Sequence, residues 1–408
     1  MSAIAARLAE LAQLGRHAGG IDRALATPPE RDARERFARW ARDAGYALTQ
    51  DAAGNTFARR PGRRADALPI LVGSHLDTVA TGGAYDGAYG VAGALCALEL
   101  LDHRNVLLDH PVEAVAWAGE EGSRFPLGCL GSSVFAGIVP LHEALALRDD
   151  AGTSYADALA RADSGLLQGV ALREPASAAA YLELHVEQGP VLEAHGARLG
   201  VVTAIAGQRR YRAEITGESG HAGTVPMQGR ADALSAAAEI ILALEAAARR
   251  TGTAVVTVGR VQVEPGGTNV IPARVVFSID ARAPDESAID AVEAAYEEAA
   301  AAAARSRGVR PVLETLERRA PALMDERLRA ALWRAVRPLD PLARDMMSGA
   351  GHDAMCLARV APAAMLFVPS IGGRSHVGDE RTADADLELG VTALAGALIE
   401  VDALLAAK

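Results

Sequence analysis

Between Pro69 and Ser133 the chain alternates two hydrophobic periods, and that alternation restricts its fold more than any other feature. "PILVGSHL" is an apolar run of strand length. "GAYGVAGALCALELLDH" opens after glycines and reads as a helix. "PVEAVAWAG" alternates apolar and polar residues, as a half-buried strand does. Strand–helix–strand order predicts an α/β layer around a mixed, largely parallel sheet. Ligands of such sheets gather at the carboxyl ends of the strands. Polar residues collect there: His75 and Asp77 end the first strand, and Glu120 and Glu121 follow the second.

A second unit is expected between about Gly207 and Glu317. "QRRYRAEITGE", "TAVVTVGRVQV", "ARVVFSIDARA" and "VRPVLETLE" read as strands. "GRADALSAAAEIILALEAAARR" and "DESAIDAVEAAYEEAAAAAARSR" read as helices. The order β-α-β-β-α-β is that of a ferredoxin-like α+β sandwich. Histidine-bearing glycine loops resume beyond it, in "SGAGHDAM" and "FVPSIGGRSHVGDE". The smaller domain, 207–317, is therefore expected as an insertion into a discontinuous catalytic domain, 1–206 plus 318–408. A chain of 408 residues is long enough for two cores.

Net charge is −11, and the one basic cluster, "RRPGRR", is short and broken by proline, which argues against a nucleic-acid partner. Cys96, Cys129 and Cys356 are too few and too widely spaced for a disulfide framework or a thiolate zinc site, so a reducing cytoplasm is expected. Near the N-terminus, Ile4, Leu8, Leu11 and Leu14 recur at helical spacing, interrupted by Arg7 and Glu10. This predicts an amphipathic core-packing helix and not a signal peptide. No apolar segment is expected to reach membrane-spanning length, and no membrane partner is expected.

The chemistry is read from the strand ends. Residues i and i+2 of a strand share a face, so the Asp77 carboxylate can orient the His75 imidazole as the outer partner of a metal ligand does. Asp86 lies in a loop bounded by Gly82, Gly83 and Gly87, which allow close backbone approach. Adjacent carboxylates at Glu120 and Glu121 resist burial unless a cation or a shared proton compensates. "YLELHVEQGP" brings His185 to another strand end, and "GGRSHVGDE" brings His376 to a glycine loop. His17, His103, His110, His142 and His195 read as structural or surface residues. The glycines of "DGAYGVAGAL" suggest a dinucleotide site, but their spacing is not G-x-G-x-x-G, and Asp86 at the mouth would repel a pyrophosphate.

The motifs "GSHLDTVATGGAYDG", "GEEGSRF", "LHVEQGP", "GHAGTVPM", "GGTNVIPAR", "SGAGHDAM" and the final "SH" resemble the hydantoinase/carbamoylase family. That family is a branch of the M20 metal-dependent hydrolases, and the motifs follow its order along nearly the whole chain. The resemblance implies two divalent metal ions per subunit, zinc or else manganese, cobalt or nickel. His75 and His185 would hold one ion, Glu121 and His376 the other, and Asp86 would bridge them. Asp77 would orient His75, and Glu120 would be the general base, moving a proton from the attacking water to the leaving nitrogen. His221 would reach the neighbouring subunit's site and bind the carbonyl oxygen. Gln188, Asn269 and Arg282 would contact the substrate, with Arg282 pairing to its carboxylate. Gly378 stands where relatives often carry proline. His352 and Asp353 match a motif without an assigned role, pocket lining being the expectation.

The implied activity is hydrolysis of the carbamoyl or ureido C–N bond of an N-carbamoyl-L-amino acid by a homodimer joined through 207–317. An allantoate amidohydrolase would use the same residues. A non-catalytic scaffold of the same fold would be expected to have lost a ligand or the base.

Overall fold

The computed structural model describes residues 2–162, 171–172 and 178–407. Its contacts divide into two compact units, Met1–Thr203 with Met324–Lys408, and Ala204–Leu323.

The first unit is built on four mutually parallel strands, in the order Ala363–Val368, Ala180–Val186, Ile70–His75, Val112–Trp117. Thr56–Arg60 and Gly200–Ile205 flank them antiparallel, making the sheet mixed. Period-two alternation divides the side chains between two apolar layers. Ile70, Val72, Ala114, Ala116, Leu182, Leu184 and Leu366 join one core with helices Ala3–Leu11, Ala88–His103, Glu326–Val336 and Asp384–Ala406. On the other face Trp117 meets Phe57 and Tyr181 edge-on, and its indole N–H donates to Tyr181 Oη at 3.0 Å.

Two expectations need correction. Val112–Trp117 is buried along its whole length, not half-buried. Its one charged residue, Glu113, is neutralised by Arg59 at 2.8 Å, so the polar position in the pattern does not mark a solvent face. Helix Asp384–Ala406 is long and apolar enough by composition to cross a membrane, contrary to the expectation that no segment reaches that length. Half of its most apolar window is buried inside the unit, where Leu387, Leu394, Leu398 and Val401 enter the core. A helix enclosed by other helices is apolar on most of its circumference without meeting lipid.

A buried ion pair ties the N-terminal part of the chain to the strand that precedes Glu120. Arg34, on helix Pro28–Asp43, pairs with Glu30 one turn earlier. Its remaining N–H groups donate to the carbonyls of Gly54, Ala116 and Trp117 at 3.0, 2.9 and 2.9 Å. Arg34→Ala leaves Glu30 buried without its cation and takes one donor from each of three carbonyls. The expected loss is about 3–5 kcal/mol of stability, measured by urea denaturation. An unchanged midpoint would contradict this account.

The second unit is an antiparallel sheet in the order Val255–Thr257, Arg274–Ala283, Gly207–Thr216, Arg310–Arg319, with Val261–Glu264 also pairing to Arg274–Ala283. "TAVVTVGRVQV", read as one strand, is two. Thr257 opposes Asp280 and Val261 opposes Phe277, so the chain takes one extra residue between them, as a bulge does. Helices Ala233–Thr251 and Glu286–Arg307 pack on the sheet through Ile240, Leu244, Val292 and Tyr296 against Tyr211, Ile215, Val275 and Phe277. Asp232 and Asp285 cap their first turns, and Gly252 and Gly308, both left-handed, end them.

Candidate active site

All the parallel strands of the first unit point their carboxyl ends at one place, and that topology assembles the site. His75 is the last residue of its strand, and His185 is the penultimate residue of the adjacent one. Glu120 and Glu121 lie three and four residues beyond Trp117. His376 lies in the loop after Ala363–Val368. Asp86 enters from the turn before helix Ala88–His103, whose N-cap Gly87 has φ 63°. A Cβ at Gly87 would stand 2.4–2.5 Å from the His75 ring, so no larger residue fits between helix and histidine.

Asp86 is the centre of the cluster. Its Oδ1 lies 3.5 Å from His75 Nε2 and 3.2 Å from His185 Nε2. Its Oδ2 lies 3.2 Å from His376 Nε2, which is itself 3.6 Å from Glu121 Oε2. His75, Asp86 and His185 form one group whose ligand atoms all lie within 4.8 Å of one another, and Asp86, Glu121 and His376 form a second. The tautomers follow from the outer contacts: His75 Nδ1 faces the Asp77 carbonyl at 3.0 Å, and His185 Nδ1 faces the Val186 carbonyl at 2.8 Å. Each Nδ1–H donates outward, which turns both Nε2 atoms to the centre, where His185 Nε2 also accepts from Gly87 N at 3.1 Å.

The neighbours of the cluster have distinct tasks. The Asp77 carboxylate accepts from the backbone N–H groups of Glu120 and Glu121, each at 3.1 Å, and fixes that turn. It lies 3.6 Å from His75 Nδ1, so the nearer anchor of the ring is Asp77's carbonyl. Glu120 stands apart from both ligand groups: its Oε2 is 3.8 Å from His75 Nε2, and its Oε1 accepts from the Cys129 thiol at 3.3 Å. Gln188, at φ 61°, donates through Nε2 to Asp86 Oδ2 at 2.7 Å, and its Oε1 is buried without a partner.

The electrostatics are those of crowded carboxylates. Burial pushes Glu120 up, as do Asp77 and Asp86, with His75 opposing. Burial, Asp86 and Glu120 take Glu121 well above the usual carboxylate range. Burial would raise Asp86 too, but hydrogen bonds from His185, His376 and His75 hold it well below. Burial disfavours the His75 cation, and hydrogen bonds to Asp77 and Asp86 overcome this and raise it well above normal. Hydrogen bonding to Asp86 raises His376 to about 9. Without cations, protons supply the positive charge this donor set demands. Three imidazoles and two carboxylates around one centre, with no thiolate ligand, suit divalent first-row metals.

The ligand atoms of a third group, Glu183, His185 and His352, also lie within 4.8 Å of one another, but Glu183 and His352 already have partners. Glu183 accepts from Ser74 Oγ at 2.8 Å and Ala354 N at 2.9 Å, and His352 Nε2 faces Ser348 Oγ at 2.8 Å. His352 lies edge-on to His185, with ring centroids 4.5 Å apart, and Asp353 accepts from Ser132 Oγ at 2.5 Å. These two therefore brace the wall behind His185. Glu183 and Cys129 were not foreseen. Glu183 had a signal, since it lies two residues before His185 on one strand face; Cys129 had none.

His221, Asn269 and Arg282 belong to the second unit. His221 is exposed and pairs in a two-residue ladder with Val270, and the Asn269 carbonyl accepts from Ala222 N at 3.0 Å. Arg282 grips Asp280 with two N–H groups at 3.0 and 3.1 Å. A substrate carboxylate would have to share that guanidinium.

A model of peptidase family M20/M25/M40 matches residues 71–400, and the chain belongs to that family. Among its relatives, the N-carbamoyl-L-amino acid amidohydrolase of Geobacillus stearothermophilus is 42% identical, over 95% of each chain. The allantoate amidohydrolase of Bacillus subtilis is 40% identical, over 96% of this chain and 95% of its own. The crystal structure of a hydantoinase/carbamoylase family amidase from Burkholderia multivorans superposes with a TM-score of 0.92 at 38% identity, covering 97% of this chain and 96% of that one.

Proposed function

We propose that this protein is a binuclear metal-dependent amidohydrolase that hydrolyses the carbamoyl group of an N-carbamoyl-L-amino acid to the free amino acid, ammonia and carbon dioxide. The observation that carries this reading is the position of Asp86, whose two oxygens face two different ligand groups while Glu120, 3.8 Å from His75 Nε2, belongs to neither. His75 and His185 would hold one cation, Glu121 and His376 the other, and Asp86 both. Two such cations supply Lewis acidity toward the scissile carbonyl and make water acidic enough to deprotonate near neutral pH.

The protein's own groups do the rest. Glu120 takes the proton of the attacking water and passes it to the departing nitrogen. Asp77 holds the Glu120–Glu121 turn and the His75 ring. Gln188 has an unpartnered buried oxygen with which to accept a ureido N–H. Arg282, Asn269 and His221 are assigned to the substrate carboxylate and carbonyl. The second unit, read as a ferredoxin-like lid, would carry a dimer contact, which its exposed Val255, Val261, Val312 and Leu316 support. The three cysteines, all buried and none in a disulfide, support a reducing cytoplasm.

Hydrolysis of allantoate is the second reading, favoured by the Bacillus relative. Ammonia release from N-carbamoyl-L-amino acids, N-carbamoyl-β-alanine, allantoate and ureidoglycolate separates the two. Preference for allantoate would replace the first reading, and no turnover of any of them would favour a scaffold. For His221, mixing inactive Glu120→Gln and His221→Ala proteins is expected to restore activity through hybrid dimers. Subunit exchange with no recovery would place His221 in its own subunit's site or outside catalysis.

A further inference from the structure

We propose that Glu380 is a positioning residue that locks the Asp86 turn to the His376 loop and thereby sets the affinity for a cation held by Asp86, Glu121 and His376. The inference rests on the metal reading above and extends it to a residue that is not itself a ligand.

Glu380 is 3% exposed. Its Oε2 accepts from the backbone N–H of Tyr85 at 2.9 Å and of Asp86 at 3.2 Å. Its Oε1 accepts from Ser375 Oγ at 2.7 Å, and the same hydroxyl lies 3.1 Å from Asp86 Oδ2. One carboxylate therefore grips the backbone of one ligand and the residue next to another. That grip matters because His376 is held under strain: its φ is 59°, a region that non-glycine residues enter only when their surroundings impose it. The ring is exposed, and the other hold on its backbone is a 3.3 Å bond from Thr81 Oγ1 to the His376 carbonyl. Without Glu380, the His376 loop keeps only the single Ser375 Oγ contact to Asp86 Oδ2, at 3.1 Å, to hold it beside the Asp86 turn while His376 Nε2 stands 3.2 Å from Asp86. Both backbone N–H groups of that turn lose their acceptor.

An independent feature points to the same carboxylate. A Cβ at Gly83 would lie 2.1 Å from Glu380 Oε2, 2.4 Å from its Cβ and 2.5 Å from its Cδ, and these are its three nearest atoms. Gly83 is not among the residues of positive φ, so its backbone would accept alanine. What excludes a side chain there is Glu380.

The test is calorimetric titration of metal-stripped protein with Mn²⁺ or Zn²⁺, with melting temperature recorded alongside, for wild type, Glu380→Gln, Glu380→Ala, Glu380→Gly, Gly83→Ala and the Gly83→Ala/Glu380→Gly double variant. Glycine is needed at 380 because alanine would keep the Cβ that lies 2.4 Å from a Cβ at position 83. Outer partners of this kind are worth about 10–100-fold in metal affinity. Glu380→Ala is expected to weaken one of the two binding events by that factor, and Glu380→Gln by less, since it keeps an acceptor for the two backbone N–H groups. Gly83→Ala should match Glu380→Ala in the wild-type background and add nothing to Glu380→Gly in the double variant, where every clashing atom of residue 380 is gone. Unchanged dissociation constants in folded Glu380→Ala, or an equal Gly83→Ala effect in both backgrounds, would overturn the proposal. Wild-type protein that binds no ion at all would refute the metal reading itself, and the clamp with it.

Discussion

Glu120→Gln is expected to retain its metal and lose turnover by about 10²–10⁴-fold, a barrier increase of roughly 3–5 kcal/mol. The substitution keeps the size of the side chain and removes only its ability to take a proton. The hydrogen bond to the Glu120 carboxylate from the Cys129 thiol can be accepted by the amide oxygen of glutamine as well, and the backbone of residue 120 is held independently. Its backbone N–H is fixed by Asp77, its carbonyl accepts from Cys129 N at 2.8 Å, and neither candidate ligand group includes it. Burial already raises the Glu120 carboxyl, which moves a base toward useful strength at neutral pH. Because the ionised form is the working one, wild-type activity should fall as pH drops through that pKa, and the variant should lack this limb. Metal content by emission spectroscopy and ammonia release decide the matter. Near-normal turnover removes Glu120 from the role of base, and loss of metal reassigns it as a ligand.

The parts of this site that were legible in the sequence are those that local rules govern. An apolar run must end somewhere, and a histidine at its end in a parallel sheet points toward the crevice, so the sequence alone places His75, His185 and the glutamate pair there. The division of labour between Glu120 and Glu121 was legible only through family resemblance, because two adjacent residues of one type carry no local distinction. Glu380 was illegible for a different reason. Two of its partners are backbone N–H groups, and the Asp86 one lies 294 residues upstream; any residue type supplies such a donor. Burial was misread at Val112–Trp117 and apolar length at Asp384–Ala406, and in both the pattern of apolar residues depends on what encloses the element. An ion pair at Glu113 and a ring of neighbouring helices are tertiary facts.

Stripping the metal is expected to abolish hydrolysis, with Zn²⁺, Mn²⁺ or Co²⁺ restoring it, and Asp86→Ala is expected to prevent that restoration. The argument is one of charge. Asp77, Asp86, Glu120 and Glu121 crowd one place with little access to water. In metal-free protein the positive charge must come from protonated histidines, which is why His75 and His376 are pushed upward. Cation binding then competes with protons, so affinity should rise with pH over the range in which those rings lose their protons. A readout independent of activity is available, because a ligand that binds only the folded state at 1,000 times its dissociation constant adds about 4 kcal/mol of stability. Wild type should show a higher melting temperature on adding metal, and Asp86→Ala should show little change, since both ligand groups lose their shared oxygen donor. Full turnover after exhaustive chelation, or an undiminished metal-induced shift in Asp86→Ala, would mean that this carboxylate cluster is not held together by cations.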